Sequence, residues 1–141
     1  MDLLLKKMTW KEGLNIQVWN TPEEFDTTLQ SWMNEGSINP SLKPDFLFGF
    51  AKSEAELSEV LKQMFPFLSE DQQLWIAYPK KSSKKYKASI NRDSGWGELG
   101  SQDFEGVRQI AIDEDWSAVR FRKIKYTKTM NRKFSAKDLK K

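Results

Sequence analysis

Apolar positions along the chain fall into short blocks whose spacing switches between two residues and about three and a half. Leu14-Asn15-Ile16-Gln17-Val18-Trp19 alternates apolar and polar side chains and stops at Asn20-Thr21-Pro22, the pattern of a short strand closed by turn residues. Thr21-Pro22-Glu23-Glu24 then predicts a helix start, with a capping hydroxyl, Pro at the first helical position and acids in the first turn. Phe25, Leu29 and Trp32 or Met33 follow at helical spacing, and that face ends near Gly36. Phe46-Leu47-Phe48-Gly49-Phe50-Ala51 is apolar throughout, as a strand buried on both faces should be. Gly49 within it marks the close approach of another backbone, a ligand or a tightly packed side chain. Ser53-Glu54-Ala55-Glu56 is a capping-box pattern opening a helix whose Leu57, Val60, Leu61, Met64 and Phe65 share one face, ended by Pro66. Gln73 to Tyr78 gives another strand, closed by Pro79, so that strand, helix and strand form the unit a parallel pair needs for its crossover.

Downstream, Lys80 to Lys87 holds five lysines, two serines and a tyrosine and reads as an exposed loop. Ile90, Trp96 and Leu99 suit a short or irregular helix. Val107 to Ile112 reads as a strand that Asp113-Glu114-Asp115 ends, and Trp116 to Ile124 alternates again, with Arg120 and Arg122 opposite Val119 and Phe121. The short acidic connection implies an antiparallel hairpin at the sheet edge. If the edge at Trp116 to Lys123 is exposed, it offers pairing to a second copy and hence a homodimer. The fold class these elements predict is a Rossmann-like three-layer α/β sandwich, with a mostly parallel sheet of about five strands ending in an antiparallel hairpin. Residues 1–124 form a single domain in this reading, and 125–141 a basic C-terminal extension.

Composition narrows the chemistry. The 141 residues include no His and no Cys, which removes the neutral-pH proton shuttle, the thiolate nucleophile, disulfides and the usual ligands of zinc, copper and haem. Six Trp and nine Phe supply a core that needs no metal to fold. The net charge of +3 hides an asymmetry: Arg122 to Lys141 carries nine Lys or Arg against one acid, leaving fourteen basic and nineteen acidic residues in 1–121. The tail, through Lys123, Lys125, Lys128, Arg132 and Lys133, suits nucleic acid, with Tyr126 and Phe134 available to stack on bases, but a solvated extension that aids solubility or docks on the acidic body is the reading favoured. The N-terminal run Leu3-Leu4-Leu5 is too short for a signal peptide and no stretch is long enough to cross a bilayer, so a cytoplasmic protein with no membrane association is expected.

Two stretches carry a resemblance. Leu74-Trp75-Ile76-Ala77-Tyr78-Pro79-Lys80-Lys81-Ser82-Ser83 and Ala111-Ile112-Asp113-Glu114-Asp115-Trp116-Ser117-Ala118-Val119-Arg120-Phe121 resemble the signature segments of a bacterial family known as the domain of unknown function number three thousand and fifty-two. Weaker likeness extends the resemblance to positions 4–123, leaving the basic tail outside. It implies a trimmed fold similar to the later half of class I methyltransferases. Those enzymes hold S-adenosylmethionine with a Gly-rich turn after the first strand and an acid at the end of the second. Here the first strand runs into Asn20-Thr21-Pro22-Glu23-Glu24 without a glycine, and the acid-bearing second strand is missing, so no cofactor is expected.

Candidate chemistry is therefore that of binding. Lys80 and Lys81, with Ser82 or Ser83, leave the carboxyl end of a parallel strand, where open α/β sheets place ligands, and suit an anionic small molecule or an acidic protein partner, although a merely solubilising loop is the commoner meaning of such a segment. Asp113 to Asp115 offer carboxylates for a hard cation, but a hairpin turn is the reading favoured, so no metal site is expected. Trp116 reads as an anchor of that hairpin and Arg92, beside Asp93 and Trp96, as a helix entry or an ion pair; both also stand as ligand candidates with Asp113. Catalysis would need a carboxylate or lysine of displaced pKa, so a non-catalytic binding module leads, with nucleic-acid binding and a residual transferase as alternatives.

Overall fold

The chain is described by a computed structural model covering residues 2–91 and 95–127. Its element order is α1 (Leu3–Lys7), β1 (Ile16–Trp19), α2 (Asp26–Asn34), β2 (Phe46–Phe50), α3 (Glu54–Met64), β3 (Gln73–Pro79), α4 (Gly97–Ser101), β4 (Phe104–Ala111), β5 (Trp116–Lys123) and α5 (Ile124–Thr127). The strands make one mixed sheet in the order β1-β2-β3-β5-β4. β1, β2 and β3 are parallel, while β5 runs antiparallel to both β3 and β4. This is the mostly parallel sheet ending in a hairpin that the sequence pattern predicts. The expected boundary at residue 124 falls at the start of α5, whose Thr127 is buried and donates its hydroxyl to Glu105 of β4 (2.8 Å).

Every residue of β2 is buried, so both faces of the sheet need a cover. On one face Phe46, Phe48 and Phe50 pack with Leu5 and Met8 of the α1 region, Phe25 and Trp32 of the α2 region, and Trp75. On the other, Leu47 joins Leu57, Val60, Leu61 and Met64 of α3, Leu99 of α4, and Leu74, Ile76 and Phe121. Each fully buried Phe or Leu contributes about 1.5–3 kcal/mol relative to exposure, which makes these two layers the main stabilising term.

Because α2 and α3 lie on opposite faces although both crossovers step the same way across the sheet, the crossovers have opposite hands. Ala51, whose side chain faces α3, donates its backbone N–H to Ala77 at the end of β3 (2.9 Å), whereas Phe46, facing α2, donates toward Asn15 on the β1 side (3.1 Å). An L-residue in an ascending strand with its side chain toward the viewer points its N–H to the right. β2-α3-β3 is thus the common right-handed crossover, and β1-α2-β2 is left-handed, a form found in about 2% of such units.

Three local expectations need correction. Thr21 does not cap a helix: Pro22 is extended, Glu23–Phe25 form a 3-10 turn without a side-chain cap, and α2 follows from Asp26. The bend comes earlier, at Asn20, whose φ of 60° is a conformation Asn tolerates better than most residues. Ser53 does cap α3, accepting from the Glu56 N–H (3.1 Å), but the Glu56 carboxylate reaches back to the N–H of Lys52 (3.0 Å) rather than to that of the cap. Finally, Trp116–Lys123 is not the sheet edge, because β5 returns to pair with β3 and leaves β4 outermost. β4 carries mostly exposed residues, as an edge strand should, and a register irregularity between Gly106 and Arg108 interrupts its ladder.

Gly49 answers to packing. A Cβ there would lie 2.5 Å from Val60 Cγ1 and 2.9 Å from Met64 Sδ, and Val60, branched at Cβ, has little freedom to yield. Gly49→Ala should destabilise the protein by about 1–3 kcal/mol in urea unfolding, with Val60→Ala in the same chain relieving the clash and recovering part of the loss. A Gly49→Ala protein as stable as the parent would contradict this packing.

Candidate functional site at the carboxyl ends of the parallel strands

The chain leaves β1 toward one face and β2 toward the other, and such a divergence opens the crevice in which open α/β sheets bind ligands. Here the crevice is filled from within. The Asn20 side-chain amide donates to the Phe50 carbonyl (2.8 Å) and to Glu56 Oε1 (3.2 Å), tying the end of β1 to the end of β2 and the first turn of α3.

Beside it stands a clasp. Glu24 accepts from Trp116 Nε1 (2.9 Å), from the Tyr86 hydroxyl (2.7 Å) and from Lys85 Nζ (3.2 Å). Tyr86 packs on Trp116 at 5.2 Å between ring centroids, and Lys52 Nζ lies 5.4 Å from its ring. The Glu24 backbone is at the surface, yet its side chain is only 24% exposed. Burial by itself would raise its pKa, but donation from Trp116 and Tyr86 first, then from its own backbone and Lys85, holds the carboxyl at about 2 against an ordinary 4.5. Tyr86 is pushed up to about 12 by burial and by the hydrogen bond and charge of Glu24. The Lys-rich segment is therefore pinned at Tyr86 rather than free along its length.

The predicted site residues separate into two groups. Lys80, Lys81 and Ser82 converge with Tyr78, Gln109 and Ser117 on an open cleft of about 470 Å³ at the end of β3. The Tyr78 hydroxyl accepts from Gln109 Nε2 (2.8 Å), fixing one wall, while the Lys80 and Lys81 ammonium groups have no partner among the described residues. Ser83, Asp113 and Trp116 sit instead in the structure of the hairpin and its strap. Ser83 donates to Asp115 (2.7 Å) and accepts from the N–H groups of Lys85 and Tyr86. Asp113 Oδ1 accepts from the N–H groups of Asp115 (2.8 Å) and Trp116 (2.9 Å), closing the turn, and Trp116 is 2% exposed. Among the described residues no three His, Cys, Asp or Glu side chains group as a metal site.

Arg92, Lys128, Arg132, Lys133 and Phe134 lie outside the described residues. Lys123 and Lys125 border a smaller groove of about 280 Å³ with Phe104 and Tyr126, where Lys125 Nζ sits 5.1 Å from the Tyr126 ring. A further groove of about 510 Å³ runs between α4 and the free edge at Trp96, Gly106 and Val119; it gathers no cluster of like charge, so chemistry favours the Lys80 cleft. No described helix is long and apolar enough to cross a membrane.

No family model matches the chain and no curated protein matches it. Among solved structures, a SAM-dependent methyltransferase from Aquifex aeolicus is similar with a TM-score of 0.55, at 13% identity, over 84% of this chain and 86% of that one. A protein of the NADB-Rossmann superfamily from Streptococcus agalactiae aligns at a TM-score of 0.46 and 12% identity, over 84% of this chain and 55% of that one. The first likeness shows a methyltransferase-like fold. The residues at the β1 turn do not fit S-adenosylmethionine: where a cofactor needs bare backbone, Asn20 fills the crevice with its side chain and Pro22 offers no N–H.

Ionised Glu24 stabilises the fold fully above pH 4.5, its ordinary pKa, and that contribution is lost as the pH falls toward 2. In urea unfolding at neutral pH, Glu24→Gln should be less stable than the parent by about 1–3 kcal/mol, and the difference should shrink below pH 4.5. Parallel pH profiles for the two proteins would contradict the clasp.

Proposed function

We propose that this protein is a binding module that holds an anionic small molecule in the cleft at the end of β3. The observation that carries this reading is the convergence on one cleft of Ser82 and two lysines that have no partner among the described residues. Two adjacent cations without a carboxylate partner repel each other, and an anion between them relieves that repulsion while gaining charge-assisted hydrogen bonds. Ser82 and Ser117 add hydroxyls, and the Gln109 to Tyr78 bond holds a polar wall in place.

Binding of this kind asks no proton transfer of the cleft, in keeping with a chain that has neither imidazole nor thiol. The domain family that the two signature stretches resemble is part of the reading and brings a fold with it, not a reaction. A transferase has the fold likeness behind it, which is weak warrant for activity. Cytoplasmic residence belongs to the same proposal.

Calorimetric titration with citrate, pyrophosphate and adenosine monophosphate tests it. At least one should bind, and Lys80→Ala or Lys81→Ala should each weaken binding by about tenfold or more, the scale of one charge-assisted hydrogen bond. A double variant that binds every anion as well as the parent would overturn the assignment of the cleft. Binding of a single-stranded oligonucleotide in place of the small anions would move the function to Lys123, Lys125 and the tail.

A further inference from the structure

On the face of the sheet opposite the Lys80 cleft, Lys7, Arg108, Arg120 and Arg122 lie where the end of α1 meets β4 and β5, with two carboxylates on the same face: Asp71, and Glu105 as the register partner of Arg122. Arg108 and Arg120 are register partners across the hairpin, and their side chains lie on the face that α1 covers. Arg108 Nε donates to the Lys7 carbonyl (3.2 Å), and Lys7 Nζ donates to the Ala111 carbonyl (3.2 Å), so α1 is held against the edge strand by cationic side chains. Two positions along, Arg122 forms an ion pair with Asp71. Among the described residues Arg120 has none: its guanidinium makes no hydrogen bond and no salt bridge there, and its Nε is buried without an acceptor. The remaining nitrogens of Arg120 are not buried and are equally without partners among the described residues.

A half-buried guanidinium in this state is costly. Its charge has lost part of its hydration and the neighbouring Arg122 repels it; Asp71 attracts it, but from its ion pair with Arg122 and without a contact of its own. An unsatisfied buried donor in a native structure calls for an explanation, and a role in holding an anion is one. A fixed planar fork with open nitrogens, beside its register partner Arg108, is a receptor for an oxyanion. A carboxylate would balance one of these charges. A phosphate, with a charge near −2 at neutral pH, balances two and offers three acceptor oxygens.

We propose that the face between α1 and the β4–β5 hairpin binds a phosphate-class oxyanion, with Arg120 as its anchor and Arg108 beside it. This site is independent of the Lys80 cleft and stands or falls separately. The probe is inorganic phosphate, followed by pyrophosphate, titrated into protein labelled with 15N in its arginine side chains and compared with chloride at matched ionic strength. The Arg120 Nε–H resonance should move saturably with phosphate and stay still with chloride, and it should do so equally in a Lys80→Ala/Lys81→Ala chain. Arg120→Gln should weaken phosphate binding by about tenfold. Arg108→Gln, an exposed change on the edge strand that leaves the core intact, should weaken it in the same direction. An Arg120 resonance that responds alike to phosphate and chloride, or undiminished phosphate binding by the folded Arg108→Gln and Arg120→Gln proteins, would overturn the site.

Discussion

A strand with no polar side chain has to be covered on both faces, and the architecture follows from that constraint. Phe46–Phe50 is buried at every position, with three Phe rings on one side and Leu47 and the bare Gly49 backbone on the other. One helix layer cannot cover both. α2 lies over the Phe face and α3 presses into the space above Gly49, and this division forces the left-handed path from β1 to β2. A rare crossover is tolerated because the buried apolar area it secures outweighs the twist preference that favours the other hand.

The same division sends the loops after β1 and β2 apart and so creates the crevice at their carboxyl ends. In a nucleotide-binding sheet that space is left to a ligand by glycines; here the chain closes it with Asn20 and straps the neighbouring rim with Glu24, Tyr86 and Trp116. The clasp draws one residue from the turn before α2, one from the Lys-rich segment and one from β5, so it unites parts of the chain up to 92 residues apart. Its effect on function is indirect. By fixing Tyr86 and Ser83 it holds the segment that begins with Lys80, and it leaves the open space at the end of β3 rather than at the end of β1.

Local patterns made the main elements legible. Continuous apolarity gave β2, the Ser53 cap and the spacing of Leu57, Val60, Leu61 and Met64 gave α3, and the acidic break gave the hairpin, with its turn closed by Asp113 as such a turn requires. That Lys80, Lys81 and Ser82 meet at the end of β3 was legible because their position after a parallel strand is a topological property that sequence order carries. What stayed hidden depends on distance in the chain. Nothing near Glu24 distinguishes it from Glu23; its partners are 62 and 92 residues away. Ser117 enters the cleft only because β5 pairs with β3 in a register opposing Ser117 to Tyr78, and the short acidic connection, which predicts a hairpin at the sheet edge, does not say which of its strands turns inward. The state of Arg120 was equally invisible, since its expected face was correct but its lack of a partner depends on where α1 and Asp71 settle.

The claim on which the rest turns is that the crevice between β1 and β2 is closed by the chain's own side chains. Thermal unfolding of the intact protein with and without S-adenosylmethionine tests this most directly. A ligand bound at a hundredfold excess over its dissociation constant stabilises by about 2.7 kcal/mol, a Tm rise of several degrees for a domain of this size. An unchanged Tm at millimolar S-adenosylmethionine is the result expected of a filled crevice. A concentration-dependent rise, abolished by a bulky substitution at Asn20, would mean that the crevice opens to a cofactor and would contradict the account.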